Sequence, residues 1–177
     1  MESGVDSYDE DKELWRKLYK AFVFDNEELD DLLEEQSLYW NDDKPIVDTF
    51  VLKTIKRFEE QNGAKQELLP EFKDEDDQDF ARRLFRRTIL NADYYRHLIS
   101  ENTRNWDLDR VAFMDVIIMQ IALAEILSFP NIPVSVTLNE YVEIAKLYST
   151  PKSGSFINGT LDGIVKILKQ DGKLTKN

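Results

Sequence analysis

Residues 106–168, WDLDRVAFMDVIIMQIALAEILSFPNIPVSVTLNEYVEIAKLYSTPKSGSFINGTLDGIVKIL, decide the fold. Val111, Met114, Ile118, Ile121, Ala122, Glu125 and Ile126 recur at helical spacing, which predicts a helix that is almost all core with one carboxylate near its end. Pro130 and Pro133 stop it. A second helix follows, with Thr137 as the expected N-cap, Glu140 three residues on, and Tyr141, Val142, Ile144, Ala145 and Tyr148 as its inner side. Thr150, Pro151, Ser153 and Gly154 form a loop. A third helix carries Phe156, Ile157, Leu161, Ile164, Val165 and Leu168. Its two glycines, Gly159 and Gly163, suggest a structural role in close helix contact.

Upstream, the periodic segments are again helical. A helix over about Gln78 to Glu101 places Phe80, Leu84, Ile89, Tyr94, Tyr95, Leu98 and Ile99 inward. Ahead of it, from Ala64 to Asp77, periodicity fails and carboxylates accumulate. Tyr8 to Phe24 reads as an amphipathic helix, Asn26 caps an acidic helix that runs to about Trp40, and Pro45 opens a third at a first-turn position. No strand pattern emerges. The expected architecture is all-α, a helical bundle of about seven helices, with an acidic helical region at 1–62, an acidic linker at 63–78 and a helical domain at 79–177.

The 177 residues carry a net charge of −12, spread unevenly. Residues 1–80 hold 10 Lys+Arg against 25 Asp+Glu, whereas residues 81–177 hold 13 against 10. An acidic half argues against generic phosphate binding there, so any nucleic acid should meet the second half. Arg82, Arg83, Arg86 and Arg87 fall on two adjacent helical rows, which Arg96 and Arg104 extend. Two readings stand: pairing with the acidic linker, or an RNA-facing stripe through Arg82 and Arg86.

With no cysteine, neither disulfides nor thiolate metal sites are available. The apolar run from Val116 to Leu127 is too short to span a bilayer, and Met1 to Glu13 lacks a signal-peptide pattern, so a cytoplasmic protein without membrane contact is expected. Catalytic constellations are scarce. His97 is the single histidine, and no Gly-rich nucleotide loop or helical Glu-x-x-His pair occurs. We read no enzyme, no cofactor and no metal site.

The segment resembles the NusB family of transcription antitermination factors, through DRVAFMD at 109–115, IALAE at 121–125, IPVSVTLNEYVEIAK at 132–146 and SFINGTLDGI at 155–164. The resemblance spans residues 79–168. It implies a helical protein that pairs with the tenth small-subunit ribosomal protein, binds boxA-type single-stranded RNA and acts with the transcription elongation complex in ribosomal RNA transcription. By position it places RNA contacts at Lys152, Ser153, Ser155, Phe156 and Asn158, with Phe156 either stacking on a base or packing in the core. It places the ribosomal-protein contact at Asp115. Arg110 and Glu140 read as a structural pair tying two helices together.

The departures are as informative. The family's arginine-rich amino-terminal helix has no counterpart here, which suggests the carboxy-terminal part of a member with a long extension, Met1 then being an expression start. Gln120 stands where many relatives carry Arg. Two alternatives remain: the non-catalytic helical RNA-recognition module of a ribosomal RNA cytosine methyltransferase, and a purely protein-binding helical scaffold.

Overall fold

The computed structural model describes residues 7–103 and 111–176; Arg104, Trp106 and Arg110 lie outside them. Every regular element among the described residues is helical. The chain divides after Glu71 into two compact units, and the division falls within the acidic stretch 63–78.

The first unit contains α1 (Tyr8–Phe22), α2 (Glu27–Gln36), α3 (Trp40–Lys56) and a 3₁₀ turn at Glu60–Lys65. Asn26 caps α2 by accepting from the Leu29 amide at 3.0 Å. The start of α3 differs from expectation, because Pro45 lies inside the helix. Residues 37–42 form a lead-in of i to i+3 bonds, Trp40 to Ser37, Asn41 to Leu38 and Asp42 to Tyr39, and the α pattern sets in only at Asp43. Pro45 thus still falls in the first regular turn, where a missing N–H costs little.

Only Lys44 and Asp48 are buried among the described residues of this unit. Lys44 Nζ meets Asp48 Oδ2 at 2.9 Å and Asp30 Oδ1 at 2.8 Å, and donates to the Val23 carbonyl at 3.3 Å. The Tyr19 hydroxyl donates to the other oxygen of Asp48 at 2.7 Å. One buried ion pair therefore joins all three helices.

The second unit comprises α4 (Glu75–Leu90), α5 (Ala92–Asn102), α6 (Phe113–Ser128), α7 (Val134–Tyr148) and α8 (Ser153–Gln170). Asp74 caps α4 through the Asp77 amide at 3.0 Å, and Glu75, Asp76 and Asp77 occupy its first turn, the positive end of the helix dipole. The single helix expected over 78–101 is two helices: the chain breaks at Asn91, whose backbone leaves the helical region and whose side-chain amide donates to the Arg87 carbonyl at 2.9 Å.

Helix α6 is the centre, packing on α4, α5, α7 and α8. Nine of its sixteen residues are buried, so a core helix rather than an amphipathic one results, and its polar side chains must find internal partners. Ile118, Met119, Ala122, Leu123 and Ile126 pack with Ile157, Leu161 and Ile164 of α8 in one cluster. Helix α8 ends in a Schellman motif: Gly172 adopts φ +69, Lys173 N reaches the Leu168 carbonyl at 2.8 Å and Gly172 N the Lys169 carbonyl at 3.1 Å. That turn sends the tail back over the fold, burying Leu174 and bringing Lys176 Nζ to the Phe129 carbonyl at 2.8 Å.

Candidate nucleic-acid interface

The loop between α7 and α8 is built from hydroxyls. Ser153 Oγ accepts from the Thr150 amide at 3.2 Å, lies 2.8 Å from Thr150 Oγ1 and donates to Ser149 Oγ at 3.0 Å. Ser149 in turn donates to Asp115 Oδ1 in the first turn of α6. The result is a continuous polar chain that ties the loop to the central helix.

This arrangement separates the loop residues into two groups. Ser153 is 1% exposed and Asp115 5% exposed, and both side chains are engaged in the internal network. The sequence suggests Ser153 as an RNA contact and Asp115 as a protein contact; burial makes them braces instead. Lys152, Ser155 and Asn158 are exposed, and Phe156 is half-buried against the core. Lys152, Ser155 and Phe156 line a cleft of about 520 Å³ with Val111, Ala112 and Thr150, and Asp115 and Ser153 line it as well. The first turn of α8 itself holds no carboxylate, although Asp115 lines the same cleft beside its positive end.

The arginines of α4 also divide. Arg83 pairs with Asp79 at 3.5 Å and sets its guanidinium 4.9 Å from the centre of the Phe129 ring, whose centre also lies 4.8 Å from that of the Phe80 ring. Arg82 and Arg86 are exposed and have no ion-pair partner among the described residues. Asp79 itself lies within α4, so among the described residues no carboxylate ahead of α4 forms an ion pair with the stripe.

The remaining expectations concern packing. Arg110 lies outside the described residues, and Glu140 is exposed on α7. The carboxylate that ties α7 to the centre is Glu125 of α6, which accepts from Thr137 Oγ1 at 2.7 Å and from the Tyr141 hydroxyl at 3.0 Å. Thr137 is accordingly not an N-cap. Helix α7 begins three residues earlier behind Pro133, whose carbonyl accepts from Val136 and Thr137. A Cβ at Gly159 would meet nothing within 4 Å, so that glycine supports no close helix contact; the closer approach is at Gly154, 3.5 Å from Val142 Cγ1. Gln120 donates to the Ala92 carbonyl at 3.1 Å, joining α6 to the start of α5.

A model described as the NusB family matches residues 48–166 of this chain. The chain belongs to the NusB family. The transcription antitermination protein NusB of Salinibacter ruber is 36% identical over 132 residues, covering 71% of this chain and 82% of that protein. The protein of that name from Dictyoglomus turgidum is 38% identical over 108 residues, covering 60% and 75%. Among solved structures, T. maritima NusB superposes with a TM-score of 0.51 at 37% identity, covering 63% of this chain and 78% of that one. NusB proteins are transcription antitermination factors and not enzymes. The family match begins within α3, so α1 and α2 precede it. Among the described residues no helix is long and apolar enough to cross a membrane, and no cluster of His, Cys, Asp and Glu could hold a metal ion.

Proposed function

We propose that this chain binds a boxA-type single-stranded RNA jointly with the tenth small-subunit ribosomal protein, in the cytoplasm, as part of the transcription elongation complex on ribosomal RNA operons. The observation that carries the reading is the convergence of Lys152, Ser155 and Phe156 on one cleft at the positive end of α8. A cation and a helix N-terminus suit phosphate, and a half-buried aromatic suits one stacked base, a combination typical of single-strand recognition. Asn158 stands exposed one turn beyond Gly154 on α8 and is proposed as a further contact. Arg82 and Arg86, exposed on α4 within the 79–177 region that we assign to RNA, are proposed as a second pair of phosphate contacts, at the Phe129 end of α6 and apart from the cleft.

The protein partner is proposed to lie against the start of α6. Asp115 is buried there, but its neighbours Phe113 and Met114 are 75% and 37% exposed and offer an apolar contact. Binding of a labelled boxA-type RNA, with and without the ribosomal protein, over a range of salt tests both halves. The expected result is joint binding that weakens tenfold or more in a Lys152→Ala, Phe156→Ala chain. Joint binding indifferent to that double substitution would overturn the assignment of the cleft.

A further inference from the structure

Asparagine precedes glycine twice in the sequence, at Asn62-Gly63 and at Asn158-Gly159. Both pairs share one reactivity, because a glycine amide nitrogen is unhindered by a Cβ and can reach the carboxamide carbon of the side chain before it. What holds them differs. Asn158-Gly159 lies inside the regular ladder of α8, between Ile157 and Leu161, which are fully buried in the core. Helical backbone turns the following amide away from the side chain, so attack at Asn158 waits on unwinding a helix anchored in the centre of the second unit. Asn62-Gly63 belongs instead to the 3₁₀ turn Glu60–Lys65, none of whose residues is buried. The helical conformation breaks at Gly63 itself, which adopts φ +45 and ψ −130 and has nothing within 4 Å of the place a Cβ would take. There the two groups meet after an opening of a few exposed residues, and such openings lie at the low end of the free-energy range.

The same carboxamide closes the turn. Asn62 Nδ2 donates to Gln66 Oε1 at 3.0 Å and to Glu59 Oε2 at 3.4 Å, and Gln66 Oε1 also accepts from the Glu59 amide at 3.2 Å. We propose that Asn62 is a site of spontaneous deamidation, with water as co-reactant, and that the modification opens this turn. The Gly63 nitrogen gives up its proton and bonds to Asn62 Cγ, the Cγ–Nδ2 bond breaks, ammonia leaves and a five-membered imide forms. Water then adds to one imide carbonyl. Addition at Cγ restores the main chain and leaves an aspartate; addition at the backbone carbonyl leaves an isoaspartate, with the chain running through Cγ. Either product has a carboxylate and lacks the amide donor, so the bonds to Gln66 and Glu59 are lost and a charge of the same sign as Glu59 is added. The aspartyl pairs Asp162-Gly163 and Asp171-Gly172 are slower sites, because an ionised carboxylate is a poorer electrophile than a carboxamide. The inference is independent of RNA binding at the α7–α8 loop.

The test holds the whole chain in mildly alkaline buffer at physiological temperature and follows both asparagines by peptide mapping with mass spectrometry. The peptide containing Asn62 is expected to gain the mass of an amide-to-acid conversion at least tenfold faster than the peptide containing Asn158, and to split into aspartyl and isoaspartyl forms. In concentrated urea the two rates should converge, because α8 no longer protects its pair. Asn62→Gln should abolish the conversion in the first peptide. Asn62→Asp, which mimics one product, should speed tryptic cleavage after Lys65 several-fold while leaving the circular dichroism unchanged. Equal rates at the two asparagines in the folded chain, or a faster Asn158, overturn the assignment of the site. Unaltered cleavage after Lys65 in Asn62→Asp overturns the opening of the turn.

Discussion

Tyr141 donates its hydroxyl to Glu125 across the buried interface of α6 and α7, 3.0 Å from one carboxylate oxygen while Thr137 holds the other at 2.7 Å. Burial, with the carboxylate beside it, raises the Tyr141 pKa far above the ordinary phenol value, so the phenol is a donor throughout the accessible pH range. Glu125 is 7% exposed and has no ready recourse to water. Tyr141→Phe leaves one of its oxygens short of a donor, and should destabilise the second unit by about 1–3 kcal/mol. Thr137→Val should act similarly, and the double substitution should be non-additive because both serve one carboxylate. Additive losses in denaturant unfolding would mean that the two hydroxyls act separately.

The polar centre of the first unit makes a pH prediction. Desolvation and the hydrogen bond to Asp48 push Tyr19 up from 10.0 to about 12. Desolvation pulls Lys44 down, but the bonds to Asp30 and Asp48 outweigh it and its pKa is raised overall. Both groups keep their protons more firmly in the folded state than in the unfolded one. Their contribution is therefore complete below pH 10 and is lost as pH rises through about 12. Helicity of the first unit should fall across that window, and Tyr19→Phe should remove part of the transition. A pH titration by circular dichroism that stays flat to pH 12 counts against the network.

The sequence shows the core of the second unit plainly because α6 and α8 are dense in apolar residues, and density survives any error in register. It shows less where a contact is long in sequence. Thr137 fits a capping pattern locally, yet its partner is Glu125, twelve residues back on another helix. Ser153 reads as a loop hydroxyl, and nothing local says that Asp115, thirty-eight positions earlier, anchors it through Ser149. The break at Asn91 is hidden because Ile89, Tyr94 and Tyr95 keep an apolar rhythm across it, although Ile89 turns out 58% exposed. The run of hydroxyls at 149–155 is the signal from which the loop network could be found. The first unit misleads for the opposite reason: the faces of α1 and α3 are amphipathic, but among the described residues they bury a Lys and an Asp rather than a hydrocarbon core.

The arginines of α4 should separate by readout. Arg83 is bound up with Phe129 and Asp79. Arg83→Ala should therefore cost about 0.5–1 kcal/mol of stability and leave RNA affinity within about twofold. Arg82→Ala with Arg86→Ala removes two exposed cations that have no ion-pair partner among the described residues. That pair should leave the melting temperature unchanged and lower both RNA affinity and its salt dependence, the slope on a logarithmic plot falling by about 0.7 for each phosphate no longer neutralised. Unchanged RNA affinity in the double variant would place the nucleic acid elsewhere.

A last prediction tests the loop by comparing a buried, internally bonded residue with an exposed cation. Ser153→Ala deletes the hydroxyl through which Thr150 and Ser149 are joined, and with it the link to Asp115. The cost should be about 1–2 kcal/mol, in the range expected for removing a buried hydrogen bond or a helix-start cap. Ser153 is 1% exposed and engaged in the internal network as a brace, so RNA affinity should fall a few-fold with an unaltered salt slope. Lys152→Ala should do the reverse, sparing stability while reducing the slope by about 0.7. Salt titrations of the two variants, set beside their thermal melts, distinguish a brace from a contact. A shallower salt slope in Ser153→Ala would mean that the hydroxyl network does not hold the loop as the geometry requires.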